Sequence, residues 1–402
     1  MKVLLLSFYF PPDLSAGSFR MEALVASLLQ HTPKISTITV ITTSPNRYGS
    51  FEAPADANEM SGSVNIHRIQ LPPHRSGMLD QARAFGTFAW KARALVQRER
   101  PDVVVATTSR LMTGVLGAWA ARHHKAPFYL DIRDIFVDTI GDVLSPRSSF
   151  LLKPLLSALE RWAVNSASKV NLVSPGFLPY FEPRYPGRSF SLLSNGVDDA
   201  FIDHLWGPEG TPCTQNRPIN VLYAGNIGEG QGLHNILPEL TQRLGPSVHF
   251  TVVGDGGRRA ALEAALAVLP RHAVTLRNPV KRAELIQLYQ EADVLFVHLN
   301  DLPAFEKVLP SKLFEYAATG KPIWAGLAGF PSRFAHDEIE NVAVFQPCDS
   351  MGAARSLETL KLQTIDRSHF IDKYRRTTIM GRMAGEIGLL ASEHAQPSQV
   401  LS

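Results

Sequence analysis

Twice in this chain a run of apolar, strand-forming residues ends in a glycine-bearing loop and passes straight into a helical pattern. Residues 3–7 lead through 8–18, which hold Pro11, Pro12 and Gly17, to apolar positions at Met21, Leu24, Val25 and Leu28. Residues 221–224 lead through the loop 225–232 to Leu233. A strand that is apolar at every position is covered on both faces, as in a parallel sheet flanked by helices. Parallel neighbours in turn need a crossover of about a dozen residues or more, usually a helix. The two runs therefore predict two α/β domains of the doubly wound kind. Neither loop reads GxGxxG, so the dinucleotide fingerprint is absent.

At 402 residues the chain exceeds what one core organises and suits two domains. Residues 205–218 are rich in Gly, Pro, Thr and Asn and read as a linker. The expected division is 1–200, a linker over 201–218, a second domain over 219–365 and a last helix over 366–395. Hydrophobic residues at 45% can fill two cores and exclude a disordered chain. A net charge of +3 is too small for a nucleic-acid footprint, so no such partner is expected. Two cysteines, Cys213 and Cys348, can build neither a disulfide framework nor a zinc site alone, which fits a reducing, cytoplasmic compartment. The apolar start breaks at Pro11-Pro12-Asp13 with no small-residue cleavage site, so it reads as a buried strand and not a signal peptide. No run reaches the roughly 18 apolar residues of a spanning helix.

Residues 310–322, Pro-Ser-Lys-Leu-Phe-Glu-Tyr-Ala-Ala-Thr-Gly-Lys-Pro, spell a short helix punctuated at both ends. Pro310 and Ser311 are start signals, with Ser311 as the N-cap, and Gly320 and Pro322 stop it. Lys312 and Glu315 share one face of the first turn. A helix start favours an anion. Lys312 adds a full charge there, and a carboxylate one turn on can accept from two adjacent hydroxyls, as a ribose presents them. A surface ion pair between Lys312 and Glu315 fits the same spacing.

Other stretches carry weaker signals. The loop 225–232 can cradle a diphosphate on backbone N–H groups, and residues 250–257, with Gly254, repeat the strand-then-glycine pattern. Residues 131–134, Asp-Ile-Arg-Asp, set three charges at the end of a buried strand, where they need a ligand or one another. Residues 75–100 interleave Arg75, Arg83, Lys91, Arg93, Arg98 and Arg100 with Phe85, Phe88 and Trp90. Such a helix lies on an anionic membrane, or else packs on its sheet with the charges in water. Asn195-Gly196-Val197-Asp198 reads as a turn.

Together these motifs resemble retaining glycosyltransferases of family 4, in the two-domain GT-B architecture: two Rossmann-like doubly wound domains facing a cleft. The nearer likeness is to the bacterial branch that transfers N-acetyl-fucosamine and related sugars in surface-polysaccharide assembly. It spans residues 1–390 and is most specific at 222–233 and 310–322. The resemblance implies that Glu315 binds the donor ribose. It also implies that Lys312, with the helix start at Pro310, Ser311 and Leu313, meets the donor phosphates. Gly225, Asn226, Gly228, Gln231 and Gly254 would line the diphosphate, with the base near Val280. Gly17 would let substrate approach the first domain, and Asp131 and Arg133 would border the catalytic cleft, making Lys312, Asp131 and Arg133 the catalytic candidates. The last helix would cross back to the first domain.

This chain also departs from the family pattern. Asn226 and Gln231 stand where many relatives carry Arg and Lys, though the nearer branch often shows Asn and Gln as here. The partner of Glu315 in the double-glutamate motif falls on Lys307, with Glu306 one place away, and Ile135-Phe136 replaces Trp-Pro. The implied reaction moves a hexosyl or N-acetylhexosaminyl group from a UDP-linked sugar to a hydroxyl of a glycan or polyprenyl-linked acceptor, with retention. It needs no cofactor and no metal, and a peripheral contact through 75–100 would hold the enzyme at the inner face of the membrane. Two rival readings are a nucleotide-sugar epimerase and a partner subunit without turnover.

Overall fold

A computed structural model describes residues 1–32, 35–46, 54–72, 78–108, 110–138, 146–204, 206, 210, 217–270 and 273–395. Most of the expected linker, together with Cys213 and Arg75, lies outside the described residues. The chain forms two compact units, Met1–Asn195 with Arg376–Ser402, and Gly196–Arg375.

The first unit is built on an eight-stranded sheet. Its strands are β1 (Lys2–Leu6), β2 (Thr37–Thr43), β3 (Asn58–Ser61), β4 (Val64–Ile69), β5 (Val103–Thr107), β6 (Phe128–Ile132), β7 (Lys169–Leu172) and β8 (Phe190–Ser191), in the order β3-β4-β2-β1-β5-β6-β7-β8. All pairs are parallel except the edge pair β3–β4. Helices α1 (Ala16–His31), α2 (Met78–Val96), α3 (Leu111–His124) and α4 (Pro146–Ser166) make the crossovers. The unbroken apolar run of β1 follows from burial on both faces: Val3, Leu4, Leu5 and Leu6 are all buried. The side chain of Ser15 accepts from Ser18 N and caps α1. The helix therefore opens earlier than its sequence suggests, and Gly17 is buried in its first turn and not in the preceding loop.

On α2 the aromatics divide between the two expected faces. Phe85 and Phe88 are buried and pack on Phe8, because they fall on the stripe that faces the sheet. Trp90 alone of the three is turned out, 75% exposed.

The final helix, Arg376–Ala395, belongs to this first unit. Its Met380, Met383, Ala384 and Ile387 share a buried cluster with Val3, Leu5, Met21, Leu24 and Leu28. Its Glu386 accepts from Tyr129 Oη and from Ser191 Oγ, each at 2.6 Å.

The second unit has six parallel strands: β9 (Ile219–Ala224), β10 (Val248–Val253), β11 (Val274–Arg277), β12 (Val294–His298), β13 (Ile323–Gly326) and β14 (Val342–Phe345). Their order is β11-β10-β9-β12-β13-β14. Helices α5 (Leu233–Leu244), α6 (Arg259–Leu266), α7 (Arg282–Glu291), α8 (Ser311–Ala318), α9 (Gly329–Glu338), α10 (Ser350–Leu357) and α11 (Ser368–Tyr374) accompany them. Along β9, Val221 and Tyr223 enter one cluster and Leu222 and Ala224 the other, as a period of two demands. The strand order reverses between β9 and β12, and open α/β sheets bind ligands at the carboxyl ends of strands at such a point.

Replacing Glu386 with Ala leaves the buried Tyr129 hydroxyl without its acceptor, at a cost of about 1–3 kcal/mol. Hydrogen exchange should then quicken in α1 and the final helix, while β9–β14 keep their protection.

Candidate functional site

At the switch point of the second unit, the loop after β9 and the loop after β10 meet backbone to backbone. Gly225 N donates to Val253 O at 2.8 Å. Gly254 has φ 153°, and a Cβ there would fall onto the Gly225 carbonyl, so only glycine fits. Gly225 itself (φ 145°) leaves room for a side chain arriving from elsewhere: a Cβ on it would overlap Nζ and Cε of Lys312. Lys312 thus reaches from the first turn of α8 across Gly225, with Nζ 5.3 Å from the Tyr223 ring centroid. The approach of α8 is fixed by Tyr316, whose buried hydroxyl accepts from Ala224 N at 3.2 Å.

Helix α8 starts at Ser311 with Pro310 as its N-cap, one residue earlier than expected. Pro310 is extended (ψ 134°) and its carbonyl accepts from Leu313 N, so Ser311 is the first helical residue and not the cap. Leu313 lies in the buried cluster under the helix, so only its backbone faces the loop side. Glu315 is half-buried, and its Oε2 accepts from Tyr289 Oη at 3.1 Å.

Asn226 and Gln231 are brought together. Gln231 Oε1 accepts from Asn226 Nδ2 at 2.7 Å and from Gly228 N at 3.2 Å, so each side chain braces the loop. Tyr223 Oη donates to Asn226 O at 2.5 Å. Val280 is half-buried against the core behind the loop after β11. Glu306 is exposed, and its backbone abuts Gly329; Lys307 is half-buried in the same 3-10 turn.

Two residues that sequence reasoning passed over hold this loop, from the end of β12 and just beyond it. His298 Nδ1 lies 2.7 Å from Gln231 O, and Cys348 N donates to His298 Nε2 at 2.9 Å. A carbonyl only accepts and a backbone N–H only donates, so Nδ1 carries the proton and the ring is neutral. Burial acts the same way and pushes its pKa down to about 4. Asn300 N donates to Gly230 O at 2.8 Å, and its Nδ2 to Glu229 O at 3.0 Å. The signal was present in the sequence: two polar residues at the end of an otherwise apolar strand.

In the first unit Asp131 is held differently from expectation. Its Oδ1 accepts from Arg20 Nη2 (2.9 Å) and Asn171 Nδ2 (2.8 Å), and its Oδ2 from Arg20 Nε (3.0 Å) and Thr107 Oγ1 (3.2 Å). Burial raises its pKa, but the Arg20 charge and hydrogen bonds outweigh that and hold it below the usual carboxylate value. With both oxygens fully used and the side chain 0% exposed, Asp131 is a structural anchor and not a cleft carboxylate. Arg20 was the missed partner; it lies four residues before Leu24 and eight before Leu28, a charge on the apolar stripe of α1. Arg133 is half-buried, with its N donating to Thr108 Oγ1 and Nη1 to Asn195 Oδ1 at 3.1 Å. Burial lowers its pKa to about 10, and it stays charged at neutral pH. Arg110, also unforeseen, lies 4.2 Å over the Phe8 ring. Among the described residues no three His, Cys, Asp or Glu side chains gather as metal ligands, and no helix is long and apolar enough to cross a membrane.

Comparison with known proteins bears on this geometry. Residues 34–189 match the glycosyl transferase 4-like domain family, and residues 214–377 the glycosyl transferases group 1 family. WcaI of Escherichia coli K12, named as a putative colanic acid biosynthesis glycosyl transferase, is 24% identical over 340 residues, covering 80% of this chain and 82% of WcaI. Among solved structures, Anabaena Alr3699/HepE in complex with UDP and glucose has a TM-score of 0.59 at 18% identity, over 98% of both chains. WaaG, a glycosyltransferase involved in lipopolysaccharide biosynthesis, has a TM-score of 0.62 at 13% identity, over 98% of both chains.

His298 gives a stability signature in pH. Its folded pKa of about 4 lies below the ordinary value of 6.5, so between these the unfolded chain binds the extra proton. Its contribution should be full above about pH 6.5 and fall, by up to about 3 kcal/mol, as pH drops towards 4. In melting curves from pH 7.5 to 4.5, His298→Gln should lose this part of the slope.

Proposed function

The chain belongs to the group 1 glycosyltransferases that carry a glycosyl transferase 4-like first domain, and from that membership we propose that it moves a hexosyl or N-acetylhexosaminyl group from a UDP-linked sugar to a hydroxyl of a glycan or polyprenyl-linked acceptor, with retention. The observation that carries the donor side is Lys312 lying across Gly225, with Glu315 one turn further along α8. The proposed pathway is the assembly of a surface polysaccharide, supported by the likeness to WcaI.

The bond between the anomeric carbon and the diphosphate oxygen breaks as the acceptor oxygen bonds to that carbon. The acceptor proton passes to the departing phosphate. Negative charge grows on the leaving diphosphate while the sugar becomes oxocarbenium-like. Donors fixed in advance at that phosphate lower the barrier most. Lys312 and the N-terminus of α8 supply such groups, and the loop 225–232 adds backbone N–H groups held still by Gln231, His298 and Asn300. Asn226 and Gln231 bond to each other, so in this reading they shape the cradle and Lys312 carries the charge. Glu315 accepts from the ribose hydroxyls. A lysine charge and a helix dipole can do the work of a metal ion here, and no metal is proposed. Arg133 is the candidate on the acceptor side, with Asp131 and Arg20 holding its strand.

Trp90 among Lys91, Arg93 and Arg98 supports a peripheral contact with an anionic membrane, where a lipid-linked acceptor resides. Co-sedimentation with phosphatidylglycerol vesicles should fall severalfold in Trp90→Ala, and equal binding by both proteins removes this contact.

The donor reading is tested by thermal stabilisation with UDP and UDP-sugars. A ligand that binds only the folded state adds about 2.7 kcal/mol at a hundredfold excess over Kd. Wild type should gain several degrees, and Lys312→Ala and Glu315→Ala should lose the gain. No shift with any nucleotide at millimolar concentration would overturn the donor reading and favour a partner subunit.

A further inference from the structure

On the reading that Glu315 meets the donor ribose, we propose that Tyr289 is a positioning residue that fixes the Glu315 carboxylate and so sets the preference for a sugar ring bearing both hydroxyls. Tyr289 lies on α7, and its Oη donates to Glu315 Oε2 at 3.1 Å. The ring is fully buried. Phe201 stacks on it at 5.5 Å and 18°, and Tyr316 meets it edge-on at 5.4 Å and 81°. The first turn of α7 is tied in turn by the Arg282–Asp198 ion pair. A ring packed on both sides has no second rotamer to visit, so its hydroxyl is a fixed point. Burial, and then the Glu315 charge, hold the phenol pKa well above its ordinary value. The group is therefore a donor at any working pH.

A carboxylate on a helix surface ordinarily rotates about its last bond. With one oxygen held by a fixed phenol, the carboxylate plane is set before a ligand arrives. A vicinal diol needs both oxygens presented in one plane, so fixing the plane favours the diol over a ring with one hydroxyl missing. The Tyr289 hydroxyl would thus act on discrimination at the ribose and not on the phosphates, which lie on the Lys312 side of the same helix turn.

The test uses the full chain and calorimetric Kd values for UDP, ADP and GDP, and then for the 2′-deoxy form of whichever binds most tightly. Wild type should prefer the ribonucleotide by about tenfold, the worth of a hydrogen bond to a charged group. Tyr289→Phe keeps the ring and removes only the hydroxyl, and should cut that preference to within about twofold. Phe201→Leu removes one wall of the stack and keeps the hydroxyl; it should lower the melting temperature and weaken the preference less than Tyr289→Phe does. If Tyr289→Phe folds and retains the full preference, the proposal is wrong while the ribose reading stands. If wild type shows no preference, or binds no nucleotide, the ribose reading fails and the proposal falls with it.

Discussion

The second unit depends on one close approach: the end of β9 meets the end of β10 where neither Gly225 nor Gly254 has a side chain. There Lys312 of α8 crosses the strand end, in space that a side chain on Gly225 would fill. Everything else at the switch point keeps that approach in place. Tyr316 ties α8 to β9, Gln231 closes the loop on itself, and His298 and Asn300 hold it from the neighbouring strand. A neutral histidine suits this role because each ring nitrogen is committed to a different backbone group, one as donor and one as acceptor. A charged residue in that position would have to be paired or desolvated at high cost.

The first unit spends its charges in another way. Arg20 and Asp131 bury a whole ion pair, with Asn171, Thr107 and the carbonyls of Leu193 and Ser194 completing both partners. Such a pair adds little net stability, since desolvation offsets most of the attraction. Its geometry is specific, however: it fixes α1, β6, β7 and the chain at 193–194 relative to one another. Arg133, two residues further on, inherits that precision.

The sequence showed the two α/β domains, the glycine loop and the punctuated helix with Lys312 and Glu315, because each rests on local patterns of period, glycine and proline. Partners across long separations stayed hidden. Arg20 and Asp131 are 111 residues apart and Gln231 and His298 are 67, and no local rule pairs them. The aromatics of residues 75–100 show a different limit. Composition left a membrane face and a sheet face open; the burial of Phe85 and Phe88 assigns those two to the sheet, and Trp90 of the three falls outside that stripe. At the start of α8 the shift from Ser311 to Pro310 is of the one-residue size at which helix ends are ambiguous.

The placing of the final helix has a consequence for the order in which the protein is made. The second unit is one continuous stretch, whereas the first is completed by residues that follow the whole of the second. Until Met380, Met383 and Ile387 arrive, the apolar residues of β1 and α1 lack one wall of their cluster. Residues 1–195 therefore finish folding after residues 196–375, which precede the helix that completes them. Glu386 bonds to Tyr129 across 257 residues, so docking of this helix waits until the whole second unit has been made.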